Sequence, residues 1–343
     1  MRKLFFRQIF FIITSFFGVS IICFYLLSLT TNTQTQSNII SSLQETTSEE
    51  SPKHVPKKTN VVQAYFKYLN QVFNGDLGIS SSSREPVTSE FLSHLPASIE
   101  LVFLASLIAV FIGLPLGVFA AIKHRKPTDL IINNLALIAY SIPIFWWGIL
   151  LILVFSLSLG VTPVAGRLSF LFDIEPVTGF ILIDTFISEQ PYRMDAFRDA
   201  IQHLILPVIV LATLPTAIIA RMARQTMIET LSEEYIITAQ AKGLSSFRIY
   251  WVHGLRNALI PFTNMLGLQV STLMTGAMLT EYLFAWPGIG KWLLDALDKG
   301  DYVSLSGGIL ITTSLVILIN AGVELIQAWL NPSIRIKTRV YNG

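Results

Sequence analysis

The sequence predicts an all-α polytopic membrane protein with six transmembrane helices. Of its 343 residues, 52% are hydrophobic and only 13% are charged, whereas a soluble protein carries about 25% charged residues. The hydrophobic residues are concentrated in apolar segments long enough to cross a hydrocarbon core of about 30 Å as helices. We predict six such helices, at 9–29, 97–122, 130–159, 201–222, 258–282 and 305–330.

The first apolar segment follows Arg2, Lys3 and Arg7. A secretory signal also begins with basic residues, but its apolar core has only about 7–15 residues and precedes a cleavage site with small residues. We therefore expect an uncleaved transmembrane helix over residues 1–30. Residues 31–96 are predicted to form an external loop, partly flexible because its first half is too polar to bury much apolar surface. Short helices are expected within this loop, at 64–73 and around 87–94.

Prolines mark the ends and breaks of the next helices. We expect Pro96 in the first turn of the helix at 97–122, where its missing N–H costs no hydrogen bond. Gly113 and Gly117 form a G-x-x-x-G pattern that allows another helix to approach closely. The segment 130–159 is too long for a straight crossing, so the sequence Ser-Ile-Pro ending at Pro143 is expected to break or tilt it.

The basic residues predict the orientation in the membrane. One set of polar segments carries 14 Lys and Arg and, with the adjoining Asp129, only four acids; it comprises the N-terminus, 123–126, 221–256 and the tail at 331–343. The other set carries 10 Lys and Arg and most of the acids; it comprises 30–96, 161–200 and 283–304. Because basic loops stay in the cytoplasm, the first set is predicted to be cytoplasmic. Six helices then place both termini in the cytoplasm.

The cytoplasmic loop between the fourth and fifth predicted spans, residues 223–257, contains a short helix. Ser232 is expected to cap its N-terminus, and the acids that follow suit the positive end of the helix dipole. Gly243 is expected to end the helix, with Lys242 in its last turn. Such a helix can lie on the bilayer or dock into a groove of a partner. The helix has a single basic residue and two acids, and acids are poor partners for an anionic leaflet. Docking to a soluble partner is therefore favoured.

Several other functions are excluded by the sequence. The single Cys23 allows no intramolecular disulfide and no cysteine metal site, and the five histidines are scattered. The stretch Gly-Ile-Gly-Lys at 288–291 is not a phosphate-binding loop, because Ala285 replaces the first glycine and Trp292 replaces the hydroxyl residue. We therefore predict no catalytic, metal or cofactor site in this chain and no nucleic acid partner. Glu100, Glu281 and Glu324 lie in predicted spans but can each reach an interface or a partner, so we expect structural roles for them.

Motifs spread over residues 61–335 resemble the permease subunits of ABC importers of the dipeptide/oligopeptide class. The motif in the cytoplasmic loop reads Glu-Tyr-Ile-Ile-Thr-Ala-Gln-Ala-Lys-Gly-Leu-Ser and is followed by His-Gly-Leu-Arg-Asn-Ala-Leu-Ile-Pro. The motifs, in their order along the chain, are found at 95–101, 113–117, 141–146, 162–166, 176–180, 203–207, 234–245, 253–261, 284–290 and 301–302.

This resemblance implies the fold of a type I ABC importer permease, with a core domain at 97–330. It also implies a complex with a second homologous permease, two ATPase subunits that use ATP and Mg²⁺, and an external substrate-binding protein. The short cytoplasmic helix is then a coupling helix that sits in a cleft of an ATPase subunit. Its predicted coupling residues are Glu233, Glu234, Tyr235, Ala239, Ala241, Lys242 and Gly243.

The resemblance leaves the cargo open. The Pro-Gly-Asp-Pro turn that most family members carry after the first span is absent, as it is in the Sap-type branch associated with antimicrobial peptides. Nickel, haem and polyamines are alternative cargoes, and a membrane scaffold or receptor that signals through the cytoplasmic loop is an alternative of another class. Gln269, Thr272 and Thr275 are candidates for lining a transport path, or for hydrogen bonds between helices.

Overall fold

The computed structural model describes residues 2–44 and 61–330, with side chains except at 2–5, 29–44, 259–271 and 326–330. Within these ranges the chain is overwhelmingly helical. The α-helices are α1 (Arg2–Gln44), α2 (Val61–Phe73), α3 (Val87–Ile122), α4 (Pro127–Ser141), α5 (Ile144–Leu151), α6 (Ile181–Ile187), α7 (Arg193–Leu231), α8 (Glu234–Ala241), α9 (Leu255–Leu283), α10 (Ile289–Asp298) and α11 (Tyr302–Leu330). Two π-helical turns, Ile152–Ser158 and Arg248–Gly254, follow α5 and precede α9.

The long apolar helices confirm the all-α membrane fold. Within the described residues, four helical segments are long and apolar enough to cross a membrane: Phe6–Ser28, Val87–Ile122, Arg193–Leu231 and Tyr302–Leu325. A fifth candidate is the bent pair Pro127–Ser141 and Ile144–Ser158. The remaining predicted span, 258–282, falls within α9, a helix of 29 residues. The number of six crossings stays a prediction, since the side chains of 259–271 are outside the description.

The predicted break in the third span is confirmed. Its two helices meet at an angle of 102°. Between them Ile142 has φ −80° and ψ 125°, an extended conformation that follows from the steric clash of a proline ring with the preceding residue. Pro143 then begins α5 as its N-cap.

Helix ends differ from the predicted ones at several places. The first helix continues to Gln44, well beyond residue 30. The predicted helix at 87–94 is the start of α3, so Pro96 lies inside a helix of 36 residues rather than in its first turn. Apolar composition marks the part of a helix that crosses the hydrocarbon, and polar residues continue the helix beyond it. The predicted tail at 331–343 and the middle of the 31–96 loop, residues 45–60, lie outside the described residues.

The described residues divide into two compact units. Unit 1 contains residues 94–291 and 319–330, and unit 2 contains residues 2–44, 61–93 and 292–318. In unit 1, α3 packs closely on α7 at two glycines of α3. A Cβ added to Gly113 would lie 2.8 Å from the carbonyl oxygen of Thr216, and a Cβ added to Gly117 would collide with the carbonyl oxygen of Ala220. The close helix approach predicted from these two glycines is thus confirmed.

Unit 2 is held at its loop by the carboxylate of Asp301. It accepts hydrogen bonds from the hydroxyl of Ser80 at 2.6 Å, from the amide of Ser82 at 3.2 Å and from the hydroxyl of Ser304 at 3.0 Å. Burial alone would raise the pKa of Asp301, but these hydrogen bonds outweigh it and hold that pKa well below its usual range. The loop at 80–82 is therefore fixed to the start of α11.

Candidate functional site

The helix α8 is connected to α7 by only two residues. Ser232 is the C-cap of α7, and its hydroxyl donates to the carbonyl oxygen of Glu229 at 2.7 Å. Glu233 is the N-cap of α8 and makes no capping hydrogen bond through its side chain. The prediction that Ser232 caps the coupling helix is therefore wrong. The reason is that α7 extends to Leu231, so the hydroxyl of Ser232 closes α7 instead of opening α8.

The C-terminal end of α8 follows the predicted glycine stop. Gly243 has φ +77°, a left-handed conformation that favours glycine. The amide of Leu244 then donates to the carbonyl oxygen of Ala239 at 3.2 Å. Lys242 is the C-cap and not, as predicted, a residue of the last turn.

Few contacts hold α8 against the rest of unit 1. Ile236 is its one fully buried side chain, and Ala239 is half-buried. The side-chain nitrogen Nδ2 of Asn257, at the start of α9, donates a hydrogen bond to the hydroxyl of Tyr235 at 2.7 Å. Because a single apolar anchor holds α8, most of its surface is left for another contact.

The exposed side chains of α8 include apolar groups. Ile237 is 56% exposed and Tyr235 is 43% exposed. Two more aromatic side chains are exposed nearby: Phe247, just before the second π-helical turn, and Trp251, inside it. Their ring centroids are 6.5 Å apart and their planes are tilted by 33°. Sequence reasoning missed these two aromatics, although their spacing of four residues puts them on one helix face. Of the predicted coupling residues, those that the structure leaves exposed are Glu233, Glu234, Tyr235, Ala241, Lys242 and Gly243.

A buried ion pair braces the part of α7 that leads to α8. Asp129 of α4 is 2% exposed, and Arg224 of α7 donates to its two oxygens at 2.5 and 2.8 Å. Farther along α7, Met227 is fully buried and lies so close to Gly254 that a Cβ there would be 2.7 Å from its terminal carbon. The C-terminal part of α7 is thus packed against both α4 and the turn that precedes α9.

A cavity of about 510 Å³ lies beside the break between α4 and α5. Two of the three predicted path residues, Thr272 and Thr275, line it, together with Thr213 and Trp147. The indole nitrogen of Trp147 donates to the hydroxyl of Thr213 at 3.1 Å. The side chain of the third, Gln269, is outside the description.

The opposite end of α9 carries a rigid connection rather than a second site. Glu281 is buried and accepts hydrogen bonds from the hydroxyl of Ser98 at 2.6 Å and the amide of Gly290 at 2.7 Å. Glu100 is likewise buried and pairs with Arg167 at 2.6 Å. Both acids hold neighbouring segments of unit 1 together, in line with the structural roles expected for them.

Comparison with known proteins identifies the family. The model of the family described as "Binding-protein-dependent transport system inner membrane component" matches residues 113–336. The chain belongs to this family. It is therefore a transmembrane permease subunit of an ABC importer, not a catalytic enzyme, and the alternative of a membrane scaffold or receptor is set aside.

Permeases of this family from several bacteria are similar over most of the chain. The di/tripeptide transport system permease protein DppB of Pseudomonas aeruginosa is 52% identical over 80% of both chains. The dipeptide transport system permease protein DppB of Escherichia coli K12 is 48% identical over 80% of this chain and 81% of its own. The putrescine export system permease protein SapB of the same strain is 40% identical over 81% of this chain and 87% of its own.

Proposed function

We propose that this permease imports di- and tripeptides. The support comes from the relatives: those 52% and 48% identical are named for di/tripeptide and dipeptide transport, whereas the Sap-type relative is 40% identical. The chain would form half of a path, with a second homologous permease forming the other half. Two ATPase subunits and an external peptide-binding protein would complete the importer. Cargo selection would rest mostly with the binding protein.

The proposed orientation follows from the basic residues. The α3–α4 loop, α8 and both termini would face the cytoplasm, because Lys and Arg are enriched in these segments. The loops around 161–180 and 284–301 would face outward. The protein would thus be a multi-pass protein of the bacterial inner membrane.

In this orientation, α8 would dock into a cleft of an ATPase subunit. The observation that supports this is the geometry of α8, which has Ile236 as its one fully buried side chain and exposes much of Tyr235 and Ile237. Closure of the ATPase pair on ATP would move α8, and the packing at Met227 and the Asp129–Arg224 pair would carry that movement to the membrane helices as a rigid-body transition. The coupling residues would transmit force and select no cargo.

The cavity beside the α4–α5 break would form part of the wall of the path. Its size is within the range of small-molecule sites, about 300–1,000 Å³. Thr272 and Thr275 would contribute to the polar part of this wall. Gln269 stays a candidate for the same path.

Replacement of Ile237 by aspartate tests the docking. The full-length chain, affinity-tagged and expressed in its own host, is purified in detergent, and co-purifying subunits with nucleotide-binding motifs are quantified by mass spectrometry. Ile237→Asp places a charge on the exposed face of α8 without touching its anchor, so we expect at least a tenfold loss of the ATPases, roughly the cost of one unpaired charge in an interface. The control Val177→Asp alters a side chain that is 72% exposed in another loop and should retain them. Full retention by Ile237→Asp would refute the docking role.

A further inference from the structure

An apolar groove runs along unit 1 between α3, α4 and α7. Its volume is about 310 Å³. Small buried side chains form its floor, namely Ala136, Ala212, Ala217 and Ala220, and larger exposed side chains form its rim, namely Ile112, Leu116, Leu135 and Ile209. The shape is that of a channel for a slender apolar chain.

The length of the groove matches one leaflet of a membrane. Along α7 its lining extends from Ile209 to Ala220, which is about 16 Å at the rise of an α-helix. The hydrocarbon core of a bilayer is about 30 Å thick, so one leaflet contributes about 15 Å. The groove is therefore long enough to hold one acyl chain along most of its leaflet.

One end of the groove lies next to the α3–α4 loop. Ile132 lines the groove and follows Asp129 by three residues, and Ala220 lines it and precedes Arg224 by four. Asp129 and Arg224 are joined by two hydrogen bonds and so lie at the same level of α4 and α7. The groove thus ends within about one helical turn of this ion pair.

The loop at this end presents three cations. Arg125 and Lys126 are exposed and Lys123 is half-buried, and among the described residues none of them forms an ion pair. The nearby acid, Asp129, is already neutralised by Arg224. The backbone amide of Arg125 also donates to the carboxylate of Asp129 at 3.0 Å, which fixes the loop to the start of α4.

We propose that the groove and this loop bind one anionic phospholipid. The acyl chain would lie in the groove, and Lys123, Arg125 and Lys126 would contact the phosphate of the headgroup. Clusters of basic residues at the end of membrane helices attract anionic headgroups, and burial of an acyl chain in an apolar groove is favourable. A second permease subunit over the groove would leave these three cations without an anionic partner, whereas the headgroup of an anionic phospholipid would supply one.

A photoreactive lipid tests the site. The full-length chain is reconstituted in vesicles that contain a phosphatidylglycerol analogue with a diazirine in its acyl chain, and the labelled peptides are mapped after irradiation. We expect label on the groove-lining parts of α3, α4 and α7. Replacing Lys123 and Lys126 by glutamine should lower this label about tenfold, since each cation contributes to the attraction of the headgroup. Replacing Arg248 and Arg256 by glutamine removes the same charge elsewhere and should leave the groove label unchanged.

A second pair of variants separates the groove from the loop. Ile132→Trp enlarges a groove-lining side chain and should lower the label about tenfold through lost acyl-chain burial, whereas Ile131→Trp changes an exposed neighbour that does not line the groove and should not. Three results would overturn the proposal: an unlabelled groove, which indicates coverage by protein; equal labelling by a phosphatidylcholine analogue; or full labelling of the lysine variant.

Discussion

The carboxylate of Glu281 occupies the space beside Gly288 and Gly290. A Cβ added to Gly288 would collide with that carboxylate, whose oxygens also accept hydrogen bonds from Ser98 and from the amide of Gly290. Only a hydrogen atom fits at the Cα of Gly288, so a glycine here allows the segment that follows α9 to pack against α3.

Gly288→Ala should therefore destabilise the permease. We expect a loss of about 1–3 kcal/mol, the usual cost of overpacking a close-packed site, measured as a lower midpoint of thermal unfolding in detergent. Gly322→Ala is the matched control, because nothing lies within 4 Å of its added Cβ. An equal midpoint for the two variants would show that the contact with Glu281 is not limiting.

A second prediction concerns the contribution of the Asp129–Arg224 ion pair to stability. Arg224→Gln would leave a carboxylate that is only 2% exposed with His124 as its remaining ion-pair partner, so we expect a loss of about 3 kcal/mol in stability, the lower end of the cost of breaking a buried pair. The double variant Asp129→Asn with Arg224→Gln should recover much of this loss, because it removes the unpaired charge. Chemical denaturation in detergent measures both, and additive effects would contradict the pairing.

Among the helices, α8 is held by few contacts, and Ile236 is the most buried of its side chains. Ile236→Ala removes the only fully buried side chain of α8, and large-to-small changes at such sites cost about 2–5 kcal/mol. We expect hydrogen exchange at the amides of α8 to become at least tenfold faster, while exchange in α7 stays unchanged. Ile237→Ala is the control at an exposed neighbour. If both variants exchange like the unaltered chain, α8 is held by contacts other than Ile236.

The sequence predicted correctly that α8 exists, and it predicted the end of α8 more accurately than its start. The left-handed glycine at residue 243 could be predicted from residue type alone, since few other residues adopt that conformation. The start could not, because Ser232 is a good cap for the end of one helix or the beginning of the next. That choice depends on where α7 ends, and the end of α7 depends on its packing with Gly254 and Ala258 in tertiary structure.

For the whole molecule, apolar composition predicted the membrane fold, and the proline at residue 143 predicted its broken helix. Contacts between distant residues were beyond the sequence. Three features join residues that are far apart in the chain: the pairing of Asp129 with Arg224, the hydrogen bond of Ser98 to Glu281, and the groove that ends near the α3–α4 loop. The cytoplasmic helix could be assigned to coupling only through its resemblance to a family, since its physical features permit several partners.

The most direct test of the proposed function is peptide uptake by the assembled importer. Vesicles containing the chain with its co-purified partners, with ATP on the side of the ATPases, are supplied with a radiolabelled dipeptide and its binding protein on the other side. We predict that uptake requires ATP and falls at least tenfold in Ile237→Asp, the loss expected for one charge introduced into a docking interface. Uptake that proceeds without ATP, or that Ile237→Asp leaves unchanged, would contradict coupling through α8.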